Sequence, residues 1–421
     1  MGVLAALTPS NWEVTFYDDR MEPVDYEASA DLVAISIEAY SARRGYQIAA
    51  KYRQRGIPVI FGGYHATFCP EEALEHGDAV CVGEAEMVWE QILEDARAGR
   101  LKKRYQSAEP CDLGRTRVNR EIFRGKNYMR LTLVETGRGC PFRCDFCSIS
   151  AFYNAKYRRR PIPNIVSELK QTHNRFVLFV DDNLTADIES ARELFAAVKP
   201  LGIRWITQIS LVGLQDKQFV RDMAESGCIA VLIGFESMNP DNLALMRKAV
   251  NRVSEYRTVL QNLREAGIFV YGTFIFGYPS DTPDIYDRSV KFAEEEKMFI
   301  AAFNHLVPFP GTPLYKELEA QGRMRYPKWW LSEDFYFGQV PFNPSGMTAA
   351  DIEFSCLRAR RKFYSGRSIV KRALEFRANC ANPQRTFYYF FLNYLLRREV
   401  SEKRGIPLGI AEESRLAVAT R

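Results

Sequence analysis

The sequence lacks long hydrophobic runs, and nowhere does it approach the roughly 18 consecutive apolar residues typical of a membrane-spanning helix. Residues 1–9 have neither a basic start nor a long apolar core, which argues against a secretory signal peptide. The apolar content of 47% is ordinary for a soluble globular protein, and 421 residues are enough for two or three domains.

The sequence also lacks the paired cysteines of a disulfide framework, because its nine cysteines are an odd number without regular spacing. Reduced thiols are typical of the cytoplasm, and we expect the protein there. Six of the cysteines are scattered singly and are expected at core or surface positions. They are Cys69, Cys81, Cys111, Cys228, Cys356 and Cys380.

Acidic residues are scarce in one part of the chain. Residues 357–404 contain 13 lysine and arginine residues against 3 acidic ones, although the whole chain has a net charge of only +5. The rest of the chain is therefore mildly acidic. No RNA-binding appendage is recognisable, and the basic residues are interleaved with apolar ones, so we expect no nucleic-acid partner.

One loop carries most of the chemistry, since Cys140, Cys144 and Cys147 lie at the spacing C-x3-C-x2-C directly after the apolar run 131–134. Cysteine thiolates bind iron–sulfur clusters, and a [4Fe–4S] cluster usually takes four of them. Three ligands would leave one iron open to a substrate or cofactor. A structural zinc site would need a fourth ligand nearby, and His173 is too distant in sequence.

This loop resembles the cluster motif of the radical SAM superfamily, because Gly139 and Pro141 flank the first cysteine and the aromatic Phe146 precedes the last. The resemblance implies that the open iron chelates the amino and carboxylate groups of S-adenosylmethionine (SAM). One electron from the cluster would then cleave SAM to methionine and a 5′-deoxyadenosyl radical.

Residues 1–105 alternate between short apolar strands and helices, which predicts a doubly wound, Rossmann-like parallel sheet. Ligands of such sheets bind beyond the carboxyl ends of the strands, where the turns Gly62-Gly63 and Gly83-Glu84 lie. The predicted strands are 12–17, 31–37, 59–61 and 80–82, and the predicted helices are 41–54 and 86–98.

This pattern is similar to the cobalamin-binding domain that precedes many radical SAM cores, so Gly62, Gly63, Gly83 and Glu84 are expected to contact cobalamin. Two features differ from the family pattern. The first strand and most of the first helix are expected to be missing, and the sequence contains no Asp-x-His-x-x-Gly motif to supply a histidine ligand for cobalt. A flavodoxin-like scaffold that binds nothing is therefore an open alternative.

Residues 106–128 are expected to form a linker, and residues 129–328 a partial (βα)6 TIM-type barrel. Polar or glycine-rich residues follow each predicted strand, at the end where barrel enzymes place their active sites. The predicted strands are 131–134, 176–180, 205–208, 230–233, 269–276 and 302–307.

The resemblance implies roles for the residues at these strand ends. Glu236 is expected to bind the methionine or ribose part of SAM. Asp181, Asp182 and Asn183 replace the family's usual Gly-Gly-Glu, which grips the amino group. Further cofactor contacts are expected from Gln208, Ser210, Gly272, Gly277 and the backbone of Phe146.

Two other groups have open interpretations. The basic residues 156–160 suit a carboxylate-binding cluster, a solvated helix start or a contact with the first domain. His305, at the end of the sixth predicted barrel strand, suits either substrate binding or packing inside the core.

Residues 329–421 are expected to form an aromatic and basic helical extension. The aromatic run 387–396 is too short to span a bilayer. It suits a helix buried against the barrel, a cover over an apolar substrate, or a peripheral contact with anionic lipid.

The resemblance as a whole implies a radical SAM enzyme that uses a [4Fe–4S] cluster, SAM and cobalamin as a C-methyltransferase. A small-molecule or lipid-like substrate and an electron donor of the flavodoxin or ferredoxin type are expected. One alternative is a dehydratase, cyclase or epimerase with a vestigial front domain. Another is a non-catalytic iron–sulfur protein for electron transfer or sensing, which the open iron disfavours.

Overall fold

The computed structural model describes residues 1–172, 174–402 and 404–409. His173 and the end of the predicted C-terminal extension, residues 410–421, lie outside the described residues. The described part contains two parallel sheets, a short antiparallel hairpin and a set of C-terminal helices. Within it, no helix has the length and apolar character needed to cross a membrane.

The front domain is a four-stranded parallel sheet whose strands follow one another in chain order. Because side chains alternate along a strand, Val59 and Phe61 pack on one face while Ile60 packs on the other, so the sheet is covered on both faces. The strands are β1 (Val33–Ser36), β2 (Val59–Gly62), β3 (Ala79–Val82) and β4 (Arg104–Gln106). The helices are α1 (Gly2–Leu7), α2 (Ala39–Gln54), α3 (Gly63–Phe68), α4 (Pro70–His76) and α5 (Trp89–Arg97).

The predicted strand 12–17 is wrong, because this segment pairs with no strand of the sheet. Its aromatic side chains, which suggested a strand, make other contacts. Trp12 lies under the guanidinium of Arg97, and Phe16 meets Phe123 edge to face at 5.4 Å. The segment therefore ties the front domain to the connecting residues that precede the barrel.

The second domain is built on six parallel strands, again in chain order, which confirms the expected partial barrel. The strands are β5 (Thr132–Val134), β8 (Phe176–Phe179), β9 (Arg204–Ile209), β10 (Cys228–Glu236), β11 (Phe269–Phe276) and β12 (Ile300–His305). The helices between and after them are α7 (Ile162–Gln171), α8 (Ile188–Val198), α9 (Lys217–Glu225), α10 (Pro240–Leu245), α11 (Tyr256–Glu265), α12 (Ile285–Glu295) and α13 (Pro313–Ala320).

A short antiparallel hairpin lies between the first two barrel strands, formed by β6 (Gly137–Gly139) and β7 (Tyr157–Arg159). The helix α6 (Ser148–Phe152) connects them. The interpretation of residues 156–160 as a helix start is wrong, since they form this strand. Arg158 of β7 donates to Glu84 of the front domain, so the basic cluster makes the interdomain contact.

Among the described residues, three helices follow the barrel: α14 (Ala349–Phe363), α15 (Gly366–Ala373) and α16 (Pro383–Glu402). The edge strand β12 has no described strand partner on one side. Two of its carbonyl groups accept hydrogen bonds from α14 and from the residue that follows it. Tyr364 Oη donates to Ala301 O at 3.0 Å, and Arg360 Nε donates to Phe303 O at 2.9 Å. The C-terminal helices therefore protect the open edge of the partial barrel.

Candidate functional site

Asp145 connects the loop with the three cysteines to three other segments of the barrel through hydrogen bonds. The Asp145 N–H donates to Met246 O at 3.2 Å, and the Asp145 carbonyl accepts from the Leu314 N–H at 3.1 Å. The Asp145 carboxylate accepts from Tyr278 Oη at 2.7 Å. These contacts fix the backbone between Cys144 and Phe146 from the end of α10, the turn after β11 and the start of α13.

The three thiols lie near one another and near a cation. Burial and the neighbouring thiols of Cys147 and Cys140 raise the pKa of Cys144, the ammonium of Lys248 lowers it, and the resulting pKa is about 12. Burial also raises the pKa of Cys140. Since cluster binding requires thiolates, a nearby ammonium suits these residues to an iron–sulfur cluster.

The described residues contain no group of three Cys, His, Asp or Glu side chains that could hold a single metal ion. A cubane cluster makes a different demand, because each cysteine binds its own iron atom. Three neighbouring thiols on one loop suit this kind of binding. Their role as its ligands stays a prediction.

Asp181, Asp182 and Asn183 each contact the cluster loop or the residues that lead into it. Asp182 accepts from the Gly139 N–H at 2.7 Å, and Asn183 Nδ2 lies 3.6 Å from Cys140 Sγ. Asp181 accepts from Thr136 Oγ1 at 2.8 Å, and burial raises the pKa of its carboxyl to about 7. These side chains position the loop, and their contact with SAM stays a prediction.

Glu236 ends β10 with a left-handed backbone, φ 62°, which turns its side chain back over the strand end. Its Oε1 lies 2.5 Å from the Nζ atom of Lys248, while its Oε2 is buried and finds no hydrogen-bond partner among the described residues. A buried carboxylate oxygen without a donor is costly, so it suits a polar ligand. Lys248 was missed at the sequence level, because a lone lysine beyond a helix carries no signal.

The remaining predicted barrel residues fall into two groups. Gln208 and Ser210 lie with Asp182 and Asn183, since Gln208 Nε2 donates to Asp182 O at 3.3 Å and the Ser210 N–H donates to Asn183 Oδ1 at 2.9 Å. The other three residues make separate packing contacts. Phe146 packs against the barrel core, a Cβ on Gly272 would meet Met298 Sδ at 2.6 Å, and Gly277 faces Phe342 with φ 120°.

His305 lies at the end of β12, as predicted, and burial lowers its pKa to about 4. Its Nε2 atom is buried and finds no hydrogen-bond partner within the described ranges. The imidazole is therefore neutral at physiological pH and is held among packed groups.

A cavity of about 280 Å³ opens at the carboxyl ends of the front-domain strands. Of the predicted residues, Gly62, Gly63, Gly83 and Glu84 all line it. The two domains meet there, because Arg138, Phe152 and Tyr153 close it from the barrel side.

The glycines of this cavity have different tasks. A Cβ on Gly62 would find only Cys81 Cβ, at 4.0 Å, and one on Gly83 would find no atom within 4 Å, so both leave open space. A Cβ on Gly63 would collide with Ile37 O at 2.7 Å, so that glycine is required by the turn itself. The open glycine-lined floor fits part of a cobalamin molecule, which is larger than the cavity.

Glu84 is occupied by contacts within the protein. Burial would raise the pKa of its carboxyl, but hydrogen bonds from Arg158 and Arg138 outweigh that effect, and the pKa is lowered. The Cys111 N–H also donates to this carboxylate at 3.1 Å. Arg138, missed at the sequence level, further pairs with Glu86 and Glu135 at 2.7 Å each. This buried ion-pair cluster joins the front domain to the cluster loop.

The chain matches two protein-family models. Residues 2–93 match the B12 binding domain, and residues 134–293 match the Radical SAM superfamily. The first covers the cavity-bearing domain, and the second covers the cluster loop and the barrel strands up to β11.

Among curated proteins, the chain is 29% identical to bacteriochlorophyllide d C-12(1)-methyltransferase of Chlorobaculum tepidum, over 94% of this chain and 87% of that protein. It is 24% identical to hopanoid C-2 methylase of Rhodopseudomonas palustris, over 76% and 64%. Among solved structures, the cobalamin-dependent SAM radical enzyme OxsB is similar, with TM-score 0.60 and 14% identity over 93% of this chain and 70% of that one. The radical SAM methyltransferase TsrM from Kitasatospora setae has TM-score 0.58 and 19% identity over 70% and 66%.

Proposed function

Because the chain belongs to the radical SAM superfamily and carries a B12-binding domain in front of the barrel, we propose that it is a cobalamin-dependent C-methyltransferase. One observation carries the proposal. The cavity of the B12-binding domain is closed by Arg138 and Tyr153, and a Cβ on Gly139, next to Cys140, would lie only 3.1 Å from Tyr153 Cβ. The two cofactor sites are therefore neighbours across one thin wall.

Each part of the chain has a task in this reaction. Cys140, Cys144 and Cys147 hold the cluster, and Glu236 receives the polar groups of SAM with its free oxygen. Lys248 keeps the charge of Glu236 and of the thiolates balanced at the strand end. When bound, the cluster supplies the electron that cleaves SAM, and cobalamin supplies the methyl group to the substrate carbon.

We propose a large apolar substrate of the tetrapyrrole class. The relatives that support this class are the two bacteriochlorophyllide d methyltransferases of Chlorobaculum tepidum, each 29% identical to this chain. The substrate would lie over the carboxyl ends of the barrel strands, against the cavity wall. A flavodoxin or ferredoxin would supply electrons, and the reducing cytoplasm suits the oxygen-sensitive cluster.

Cyclisation of a tetrapyrrole is the second candidate function. The chain is 24% identical to the anaerobic magnesium-protoporphyrin IX monomethyl ester cyclase of Cereibacter sphaeroides, over 82% of this chain and 61% of that protein. A cyclase and a methyltransferase that act on a tetrapyrrole differ in whether the product gains a carbon.

The test combines cofactor retention with isotope transfer. The protein is reconstituted anaerobically with iron and sulfide, incubated with hydroxocobalamin and desalted. It is then supplied with a low-potential reductant such as dithionite, SAM that carries a deuterated methyl group, and either bacteriochlorophyllide d or magnesium-protoporphyrin IX monomethyl ester. We expect about one corrin per chain and a product with the intact labelled methyl. An unlabelled, cyclised product from the monomethyl ester would favour the cyclase, and a chain that retains no corrin would overturn the cobalamin-dependent methyltransferase.

A further inference from the structure

The last helix, α16, exposes aromatic side chains where the surface helix of a soluble protein normally carries charge. Phe387 is 64% exposed, Tyr394 57% and Phe391 46%. Tyr388, Phe390 and Leu395 are exposed on the same outer half of the helix. Because these six side chains lie within residues 387–395, the outer half of the helix is almost entirely apolar there.

The inner half of α16 is firmly attached, so this exposure is not the result of a loosely placed helix. Tyr389 is fully buried, and its hydroxyl donates to Ile369 O of α15 at 2.7 Å. The buried Asn393 accepts from Arg372 at 3.0 Å, and Leu396 packs against the barrel core. The helix therefore uses one half for folding and leaves the other to solvent.

The neighbouring helix α15 and the turn after it extend the apolar area. Val370 is 57% exposed, Leu374 63% and Phe376 68%. We call the whole patch the aromatic surface. It comprises Val370, Leu374, Phe376, Phe387, Tyr388, Phe390, Phe391, Tyr394 and Leu395.

Basic residues are interspersed with the aromatic surface, and several lack an ion-pair partner. Arg367, Lys371, Arg377, Arg397 and Arg398 are all exposed. Within the part of the chain that the structure describes, Arg367, Arg377 and Arg397 have no carboxylate at ion-pair distance. The surrounding segment, residues 357–404, has 13 basic residues against 3 acidic ones. Several other basic residues of the segment do pair with carboxylates, for example Lys371 with Glu294, so the uncompensated positive charge of the patch comes from these three arginines.

We propose that the aromatic surface docks on the headgroup region of an anionic lipid bilayer. Aromatic side chains partition into the headgroup region, and arginine side chains reach the lipid phosphates beside them. The helix would lie in the plane of the membrane. The inference goes beyond the proposed methyl transfer and is independent of it.

A second copy of this chain is the less suitable occupant. In a two-fold dimer the same patch would face itself, and the basic residues of both copies would meet across the interface. Such like charges oppose association, whereas an anionic bilayer compensates all of them at once. The charge of the patch therefore favours lipid.

Vesicle sedimentation with the reconstituted holoenzyme tests the proposal. The protein is mixed with vesicles of phosphatidylcholine alone or of phosphatidylcholine with phosphatidylglycerol, and the bound fraction is measured at increasing salt. We expect binding to the phosphatidylglycerol vesicles that weakens with salt. Arg367→Gln with Arg397→Gln should lower the partition coefficient by about 30-fold, since each unpaired surface charge contributes about fivefold.

A second variant tests the apolar contribution to binding. Replacing Phe387, Phe391 and Tyr394 by Ser should abolish sedimentation with vesicles. Its matched control is Met129→Ser, because Met129 is 81% exposed but lies before the barrel. Arg221→Gln, an exposed arginine of α9, is the control for charge.

Two outcomes overturn the proposal. One is equal binding of the wild type and the aromatic variant to phosphatidylglycerol vesicles, or no binding by either. The other is a dimer in light scattering that the aromatic variant abolishes, which identifies a second copy as the occupant. Circular dichroism and cluster content confirm that each variant is folded.

Discussion

The Nζ atom of Lys248 lies 2.5 Å from Oε1 of Glu236, beside the thiols of the cluster loop. Burial alone would lower the pKa of Lys248, but the charges of Glu236 and Cys144 outweigh it and raise the pKa. The lysine therefore stays charged in a buried position. It links the end of β10, where SAM is proposed to bind, to the residues proposed to hold the cluster.

Glu236→Gln should weaken SAM binding by about tenfold or more. A hydrogen bond to a charged group contributes about 1.5–3 kcal/mol, and the amide cannot provide two carboxylate oxygens. The dissociation constant of SAM is measured by anaerobic equilibrium dialysis on protein with equal cluster content. Glu225→Gln is the matched control, since Glu225 pairs with Lys199 on the surface, and it should bind SAM normally. Unchanged affinity in the Glu236 variant would remove this residue from the SAM site.

Replacing Cys140, Cys144 or Cys147 by Ala should remove the brown chromophore and all cleavage of SAM to 5′-deoxyadenosine. Two thiolates cannot hold a cubane cluster with an open iron. Absorbance and iron content are measured after anaerobic reconstitution. Cys356→Ala is the control, because Cys356 is also buried but lies on α14. A single-cysteine variant of the loop that keeps both properties would show that its thiol is not a ligand.

Tyr278→Phe should lower the free energy of unfolding by about 1–3 kcal/mol and also lower cluster content. It removes the donor to the buried carboxylate of Asp145, a residue that lies between the predicted cluster ligands Cys144 and Cys147 in the loop. Denaturant unfolding and iron content are measured on the same preparations.

Tyr364→Phe separates the two effects. It removes a comparable buried hydrogen bond, from the Tyr364 hydroxyl to Ala301 O at 3.0 Å, on the far side of the barrel edge. We expect a similar loss of stability with normal cluster content. Equal cluster loss in both variants would show that Asp145 has no special part in holding the loop.

The barrel was predictable from sequence because each strand is an apolar run that ends in a polar or glycine-rich turn. Gly234 to Ser237, directly after residues 230–233, is an example, and it correctly placed Glu236 at a strand end. The front-domain turns were predictable for the same reason, and all four of their predicted residues line one cavity.

The failures have physical causes as well. Residues 12–17 have the alternation of a strand, but their aromatic side chains pack on the connecting segment, a contact that periodicity does not encode. The hairpin of β6 and β7 pairs two three-residue strands far apart in sequence, too short for any pattern. The Asp181 and Asp182 carboxylates accept from the Thr136 and Gly139 N–H groups, contacts that a position at a strand end does not encode, and their contact with SAM stays a prediction.

Gly62→Val should lower cobalamin retention by about tenfold or more, while leaving SAM cleavage intact. Gly62 has an extended backbone that accepts valine, and a Cβ there meets only Cys81, so the added methyl groups would project into the cavity. Such overpacking costs a bound ligand about 1–3 kcal/mol. Corrin absorbance per chain is measured after desalting. Gly366→Val, at an exposed glycine with an ordinary backbone, should retain cobalamin. Full retention by the Gly62 variant would place the corrin outside this cavity, and equal loss in both variants would indicate a general effect on folding.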